Sequence, residues 1–118
     1  MSVRKLVAKV AAADLPLGAT LRVEYPPFHV LLVNLGGVAY AIDDTCNHAG
    51  ESLSKGELTG CQISCPAHGY LFDVRTGALV SPVGLCDAQR TFEVVREGND
   101  LAIYDNVLSI VGAPDTGP

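Results

Sequence analysis

Short apolar runs separated by Gly, Pro and Asp turn signals fill the chain, and none sustains a helical period over three turns. A chain patterned in this way buries its apolar groups as strands. The runs predict strands at Arg4–Ala8, Thr20–Tyr25, Phe28–Leu35, Val38–Asp43, Cys61–Ser64, Leu71–Asp73, Thr91–Glu97 and Leu101–Asp105. Gly36-Gly37 joins two of them as a tight hairpin, where glycine supplies the positive φ of a primed turn. Gly98-Asn99-Asp100 plays the same part near the end, and Val74-Arg75-Thr76-Gly77 forms a third turn with Gly77 in the left-handed position. Ala11–Leu15 reads as a single helical turn. Neither repeat nor linker interrupts the pattern, so an all-β single domain is expected over residues 1–112, with a flexible tail at 113–118.

Charge and composition narrow the function. The formal net charge is −5, and eight Lys and Arg are spread over 118 residues, which argues against binding nucleic acid or a membrane surface. Arg4-Lys5 followed by Leu6-Val7-Ala8 mimics the start of a signal peptide, but Lys9 and Asp14 break the apolar region too early. The longest apolar run, Val30 to Ile42, is too short for a bilayer and is interrupted by Asn34 and Gly36-Gly37. A soluble, cytoplasmic protein is therefore expected, and without a secretory context its four cysteines do not read as a disulfide framework.

Two of those cysteines stand in boxes with histidine: Cys46-Asn47-His48 and Cys65-Pro66-Ala67-His68. Two soft thiolates and two imidazoles in this order make a mixed-ligand metal site. A [2Fe–2S] cluster with two histidines on one iron takes such a set. Structural zinc takes it as well, although zinc sites usually separate paired ligands by two or more residues and Cys46-x-His48 leaves one. A nucleophilic Cys–His pair would leave the duplication unexplained.

The surroundings of the boxes extend the pattern. Tyr40-Ala41-Ile42 before the first box, His48-Ala49-Gly50, and His68-Gly69-Tyr70-Leu71-Phe72-Asp73 with Thr76-Gly77 after the second are similar to Rieske ferredoxins, and the resemblance covers essentially the whole chain. It implies an antiparallel β-barrel or sandwich with an inserted cluster-binding subdomain at about residues 44–84. It also implies one Rieske [2Fe–2S] cluster per chain, with Cys46 and Cys65 on the buried iron, His48 and His68 on the outer one, and Ser81-Pro82-Val83-Gly84 as a covering loop. Neutral imidazole in place of two thiolates leaves the cluster less negative and raises its potential. The high-potential members of cytochrome bc complexes carry a disulfide between the ligand loops and hydroxyl donors to the cluster. The matching positions here are Glu51 and Ala67 for the disulfide, and Tyr70 and Phe72 for the donors. Phe72 has no hydroxyl, while Tyr70 keeps one that can donate in a geometry the sequence does not give; fewer donors mean a lower potential, since bonds to sulfur stabilise the reduced cluster.

The remaining residues bound the role. His29 is the single histidine outside the boxes, too few for the two-His, one-carboxylate iron of an oxygenase, and it reads as a strand residue on the polar face. No Gly-x-Gly-x-x-Gly segment is present for a flavin or nicotinamide. The expected role is that of an electron carrier and not an enzyme, a monomer passing single electrons from an NAD(P)H-dependent flavoprotein reductase to a terminal oxygenase. The alternatives are a Rieske-like small subunit of an assimilatory nitrite reductase and a zinc-stabilised interaction module. Cys61, alternating with Ile63 and Cys65, reads as a small buried hydrophobe, and Cys86 as a thiol outside the boxes.

Overall fold

A computed structural model describes residues 4–26, 28–46, 50–67, 69–82 and 88–106. His48, His68, Cys86 and the expected tail at 113–118 lie outside the described residues. The strands run β1 (Arg4–Ala11), β2 (Thr20–Tyr25), β3 (Phe28–Leu35), β4 (Val38–Asp43), β5 (Leu58–Thr59), β6 (Gln62–Ser64), β7 (Leu71–Asp73), β8 (Leu79–Ser81), β9 (Thr91–Glu97) and β10 (Asp100–Asn106). All their pairings are antiparallel. The expected helical turn is a 3-10 turn at Ala12–Asp14, and a second one occupies Leu53–Lys55. Among the described residues no helix is long and apolar enough to cross a membrane.

Six strands form one sheet in the order β1-β10-β9-β4-β3-β2. A bulge in β1 between Leu6 and Ala8 adds local bend and twist. The sheet curls until Val7 and Val10 from one outer strand and Leu21 and Val23 from the other pack on the same core. The result is a nearly closed barrel. The Gly36-Gly37 hairpin has φ of 62° and 95°, the two positive values of a I′ turn, whereas in the β9–β10 hairpin Gly98 takes φ of 63° and Asn99 does not take a positive one.

Residues between β4 and β9 make a second sheet, ordered β5-β6-β7-β8. The chain leaves the barrel at Asp43 and returns at Arg90, whose carbonyl accepts the Asp43 N–H at 2.7 Å. The apolar run Val30–Val33 explains how the two halves join. All four residues are fully buried, yet Val30 and Leu32 face the barrel core while Leu31 and Val33 face a second core shared with the insert. Strands buried on both faces read as continuous apolar runs. Each such side chain contributes about 1.5–3 kcal/mol by leaving water.

Five of the expected strands have the observed limits. Three corrections follow from the pairing. First, Cys61 is not a strand residue: Gly60, at φ of 61°, and Cys61 form the two-residue turn between Thr59 and Gln62. Its thiol is consequently half-buried, 4.0 Å from Asp73 Oδ2, and not part of the core. Second, the short strands β5 and β8 were not expected. Third, Ser81, placed in a covering loop by the resemblance, ends β8 and pairs with Leu71. Pro82 follows it, half-buried, and residues 83–87, including Val83 and Gly84 of that expected loop, lie outside the described residues.

Opposite charges close one end of the barrel. Asp105 is buried and accepts from the Tyr25 hydroxyl at 2.6 Å and from the Arg90 guanidinium. Burial alone would raise its carboxyl, but these two donors hold it below the usual carboxylate range. The Tyr25 and Phe92 rings meet edge-on at 6.1 Å, with the Arg90 guanidinium 4.8 Å from the Phe92 centroid.

Candidate metal centre

The two boxes sit on loops of one construction. In the first, Thr45 and Ser52 form an isolated bridge, the Cys46 N–H donates to Glu51 O at 2.8 Å, and the Gly50 N–H donates to Cys46 O at 2.8 Å. In the second, Ser64 pairs with Leu71, the Cys65 N–H donates to Tyr70 O at 2.7 Å, and the Gly69 N–H donates to Cys65 O at 2.8 Å. Gly50 and Gly69 share a φ of 73°, the left-handed value that lets each chain turn back after four residues. Each loop is thus a hairpin tip with cysteine at its first corner and glycine before its last.

Cys46 and Cys65 are each 1% exposed and pack in one cluster with Leu53, Ile63, Phe72 and Val74. Gly50, Glu51, Pro66, Ala67 and Gly69 on the same loops are exposed. Two cysteine sulfurs inside, in no disulfide and at the base of two loops that reach solvent, form a soft donor set at the boundary of core and surface. That arrangement fits a metal–sulfur group held from within by cysteine. His48 and His68, the other two expected ligands, lie outside the described residues.

Around the cysteines the loops are held by polar groups that pattern reading did not single out. Asp44 is 1% exposed, and its carboxylate accepts from Arg22 Nε at 3.1 Å, from the Ser54 N–H at 2.7 Å and from the Ser52 hydroxyl. It ties β2 to the chain after the first loop. Gln89 is also buried, and its side-chain amide donates to Asp43 O at 2.9 Å and Thr45 O at 2.8 Å. Burial pushes the neighbouring Asp43 carboxyl up, while the Thr45 N–H on its Oδ1 and the nearby Arg90 charge act the other way. On the second side Asp73 ends β7, and the Arg75 guanidinium bound to both its oxygens holds its carboxyl down. Gly77, at φ of 79°, closes that turn as expected, donating to Asp73 O at 2.7 Å. Neither Asp44 nor Gln89 gave a sequence signal: the burial of Asp44 does not show in the chain, and the partners of Gln89 are carbonyls 44 and 46 residues away. His29, by contrast, is a half-buried strand residue whose Nδ1 accepts the Tyr25 N–H at 3.1 Å.

Comparison with known proteins agrees with this construction. The Rieske [2Fe-2S] domain matches residues 5–92. The ferredoxin component of biphenyl 2,3-dioxygenase from Rhodococcus jostii (strain RHA1) is 39% identical over 93 residues, 79% of this chain and 86% of that one. Among solved structures, the ferredoxin of carbazole 1,9a-dioxygenase from Nocardioides aromaticivorans IC177 superposes with a TM-score of 0.75 at 29% identity, covering 83% of this chain and 95% of that one. A complex of reduced oxygenase and oxidized ferredoxin in carbazole 1,9a-dioxygenase includes a chain that matches with a TM-score of 0.74 at 33% identity, over 85% of this chain and 91% of the other. An antiparallel barrel with an insert that carries two cysteine-cornered loops defines the class. The chain belongs to the Rieske [2Fe-2S] domain family.

Proposed function

We propose that this protein is the electron-carrying ferredoxin of an oxygenase system, taking single electrons from an NAD(P)H-dependent flavoprotein reductase and delivering them to a terminal oxygenase. The observation that carries this is the pair of matched loops, each with a buried cysteine at its corner, in a chain whose relatives are dioxygenase ferredoxins. Cys46, His48, Cys65 and His68 hold the cluster, within one domain spanning 1–112 whose residues 44–84 form the cluster-binding part. Once bound, the [2Fe–2S] group takes up and returns one electron. The chain's own part is to hold the thiols away from water and leave the loop tips uncovered. It acts as a soluble, cytoplasmic monomer, an electron-transfer component and not a catalyst.

Electron transfer needs close approach, so reductase and oxygenase use overlapping surfaces at these tips and bind in alternation. Among the described residues of the two loops Glu51 carries the one charge, beside Gly50, Pro66, Ala67, Gly69 and Tyr70. Contact there rests mostly on uncharged groups, and the acidic balance of the whole chain acts on encounter. Raising salt through about 0.1 M, where the Debye length is about 10 Å, is therefore expected to slow association more than dissociation. Stopped-flow mixing with the reductase, NADH and the oxygenase measures this. Stable simultaneous binding of both partners to one ferredoxin would defeat the shuttle reading.

The midpoint potential is expected in the lower part of the Rieske range, which spans roughly −150 to +300 mV. Phe72, fully buried beside the cysteines, has no hydroxyl to donate, and exposed Glu51 and Ala67 form no bridge between the loops. Protein-film voltammetry at neutral pH checks this. A value above about +150 mV would contradict it.

A further inference from the structure

The two loops share a frame but are backed differently. In each, the residue before the cysteine belongs to a pair whose ladder bonds fall on either side, so its own N–H and C=O point away from its partner. Behind the second loop, the outward N–H of Ser64 meets Glu57 O at 3.0 Å, and β5 continues that backing along β6. The first loop rests on an isolated bridge with no strand alongside Thr45 among the described residues. Side chains serve there instead: the Thr45 N–H donates to Asp43 Oδ1 at 2.9 Å, and the Thr45 carbonyl accepts from Gln89 Nε2 at 2.8 Å. The second hydrogen of that Nε2 is directed at Asp43 O, 2.9 Å away. Gln89 is itself anchored, its N–H donating to Gly77 O at 2.7 Å.

We propose that Gln89 is a positioning residue for the first ligand loop, its amide standing in for the strand that this loop lacks and so fixing the approach of Cys46. The proposal rests on the reading of Cys46 as a cluster ligand. Two donors on one nitrogen are needed because two carbonyls flank Asp44, one at the end of β4 and one at the foot of the loop. The anchor on Gly77 makes the brace span from the first loop to the turn between β7 and β8, so it fixes the first loop relative to the sheet that carries the second.

The test is hydrogen exchange by mass spectrometry on the cluster-loaded protein, with EPR of the reduced state. Gln89→Met keeps the length of the side chain and removes both donors. Exchange in peptides covering 44–53 is expected to rise about ten-fold, as for a lost hydrogen bond or two, while peptides covering 64–71 keep their wild-type rate. The EPR g values are expected to shift. Tyr25→Phe, which loses a hydrogen bond in the barrel, should change neither. Equal acceleration in both loops, or no change in the first, overturns the proposal. Should Gln89→Met load no cluster, Gln89→Asn, one methylene too short to reach both carbonyls, is read in the same way. If neither variant loads cluster, wild-type strand content by circular dichroism supports the brace, and its loss overturns it in favour of a role in the whole fold. Absence of a mixed-ligand EPR signal from the wild-type protein would instead sink the reading of Cys46 as a ligand, which the loop-specific exchange pattern does not test.

Discussion

Alanine at Cys46 or Cys65 is expected to leave the protein colourless, without iron, acid-labile sulfide or the rhombic, low-average-g EPR signal of mixed His/Cys ligation. Each cysteine is a buried corner of its loop, so its thiol has no substitute among its apolar neighbours Leu53, Ile63 and Phe72. His48→Ala and His68→Ala should lose or seriously impair the cluster by the same reading. Cys61→Ser is the contrasting case: that thiol lies half-buried in the β5–β6 turn, away from either loop, and the cluster should assemble with equal iron and sulfide. Cys86→Ser should assemble likewise. Metal and sulfide analysis with EPR on the purified variants settles the comparison. A colourless wild-type protein with stoichiometric zinc would overturn the ligand assignment.

The second large effect is expected from Gly56→Ala. The backbone of Gly56 has an ordinary extended φ of −85°, so conformational freedom is not the issue. An added Cβ would lie 1.7 Å from the carbonyl oxygen of Ser64 and 3.2 Å from that of Leu53. Backbone cannot yield as a side-chain end can, so the chain before β5 must move off the residue that precedes Cys65. A loss of about 3 kcal/mol, the upper part of the usual overpacking range, is expected, with cluster loading reduced. Gly36→Ala supplies the scale: no atom lies within 4 Å of its added Cβ, and its cost is confined to the positive φ of 62°, about 1–2 kcal/mol. Denaturant midpoints of the loaded proteins should rank Gly56→Ala well below Gly36→Ala. Equal midpoints would show that the chain at Gly56 has room to shift.

The barrel was legible where a local signal decided the structure. β2, β3 and β4 have the limits read from their apolar runs and turn signals, and for β3 and β4 the Gly36-Gly37 hairpin fixes register and the facing ends. β1 ran three residues past its expected end since its length is set by pairing with β10. The strands β5 and β8, two and three residues long, exist only through their neighbours and carry no pattern of their own. Cys61 was misplaced for a related reason: alternation with Ile63 and Cys65 is a strand signal, and the turn that Gly60 imposes overrides it. At the site, the cysteine boxes were visible as spacing. The polar groups that hold them were not, because what they do depends on which groups the fold brings to them: Arg22, Ser52 and Ser54 for Asp44, and the Asp43 and Thr45 carbonyls for Gln89.

The point where the insert joins the barrel has a consequence for how such a chain is assembled. Asp43 and Arg90 are bonded neighbours at the open end of the β4–β9 pair, so to the barrel the whole intervening stretch takes the place of a turn. In connectivity the metal-binding half is a detachable cargo. In its packing it is not, for Leu31, Val33 and Ile42 cover one side of the carrier with oil that only the cargo conceals. Excision would leave a nearly closed barrel with a sticky patch, so a barrel without this half would need polar residues at those three positions.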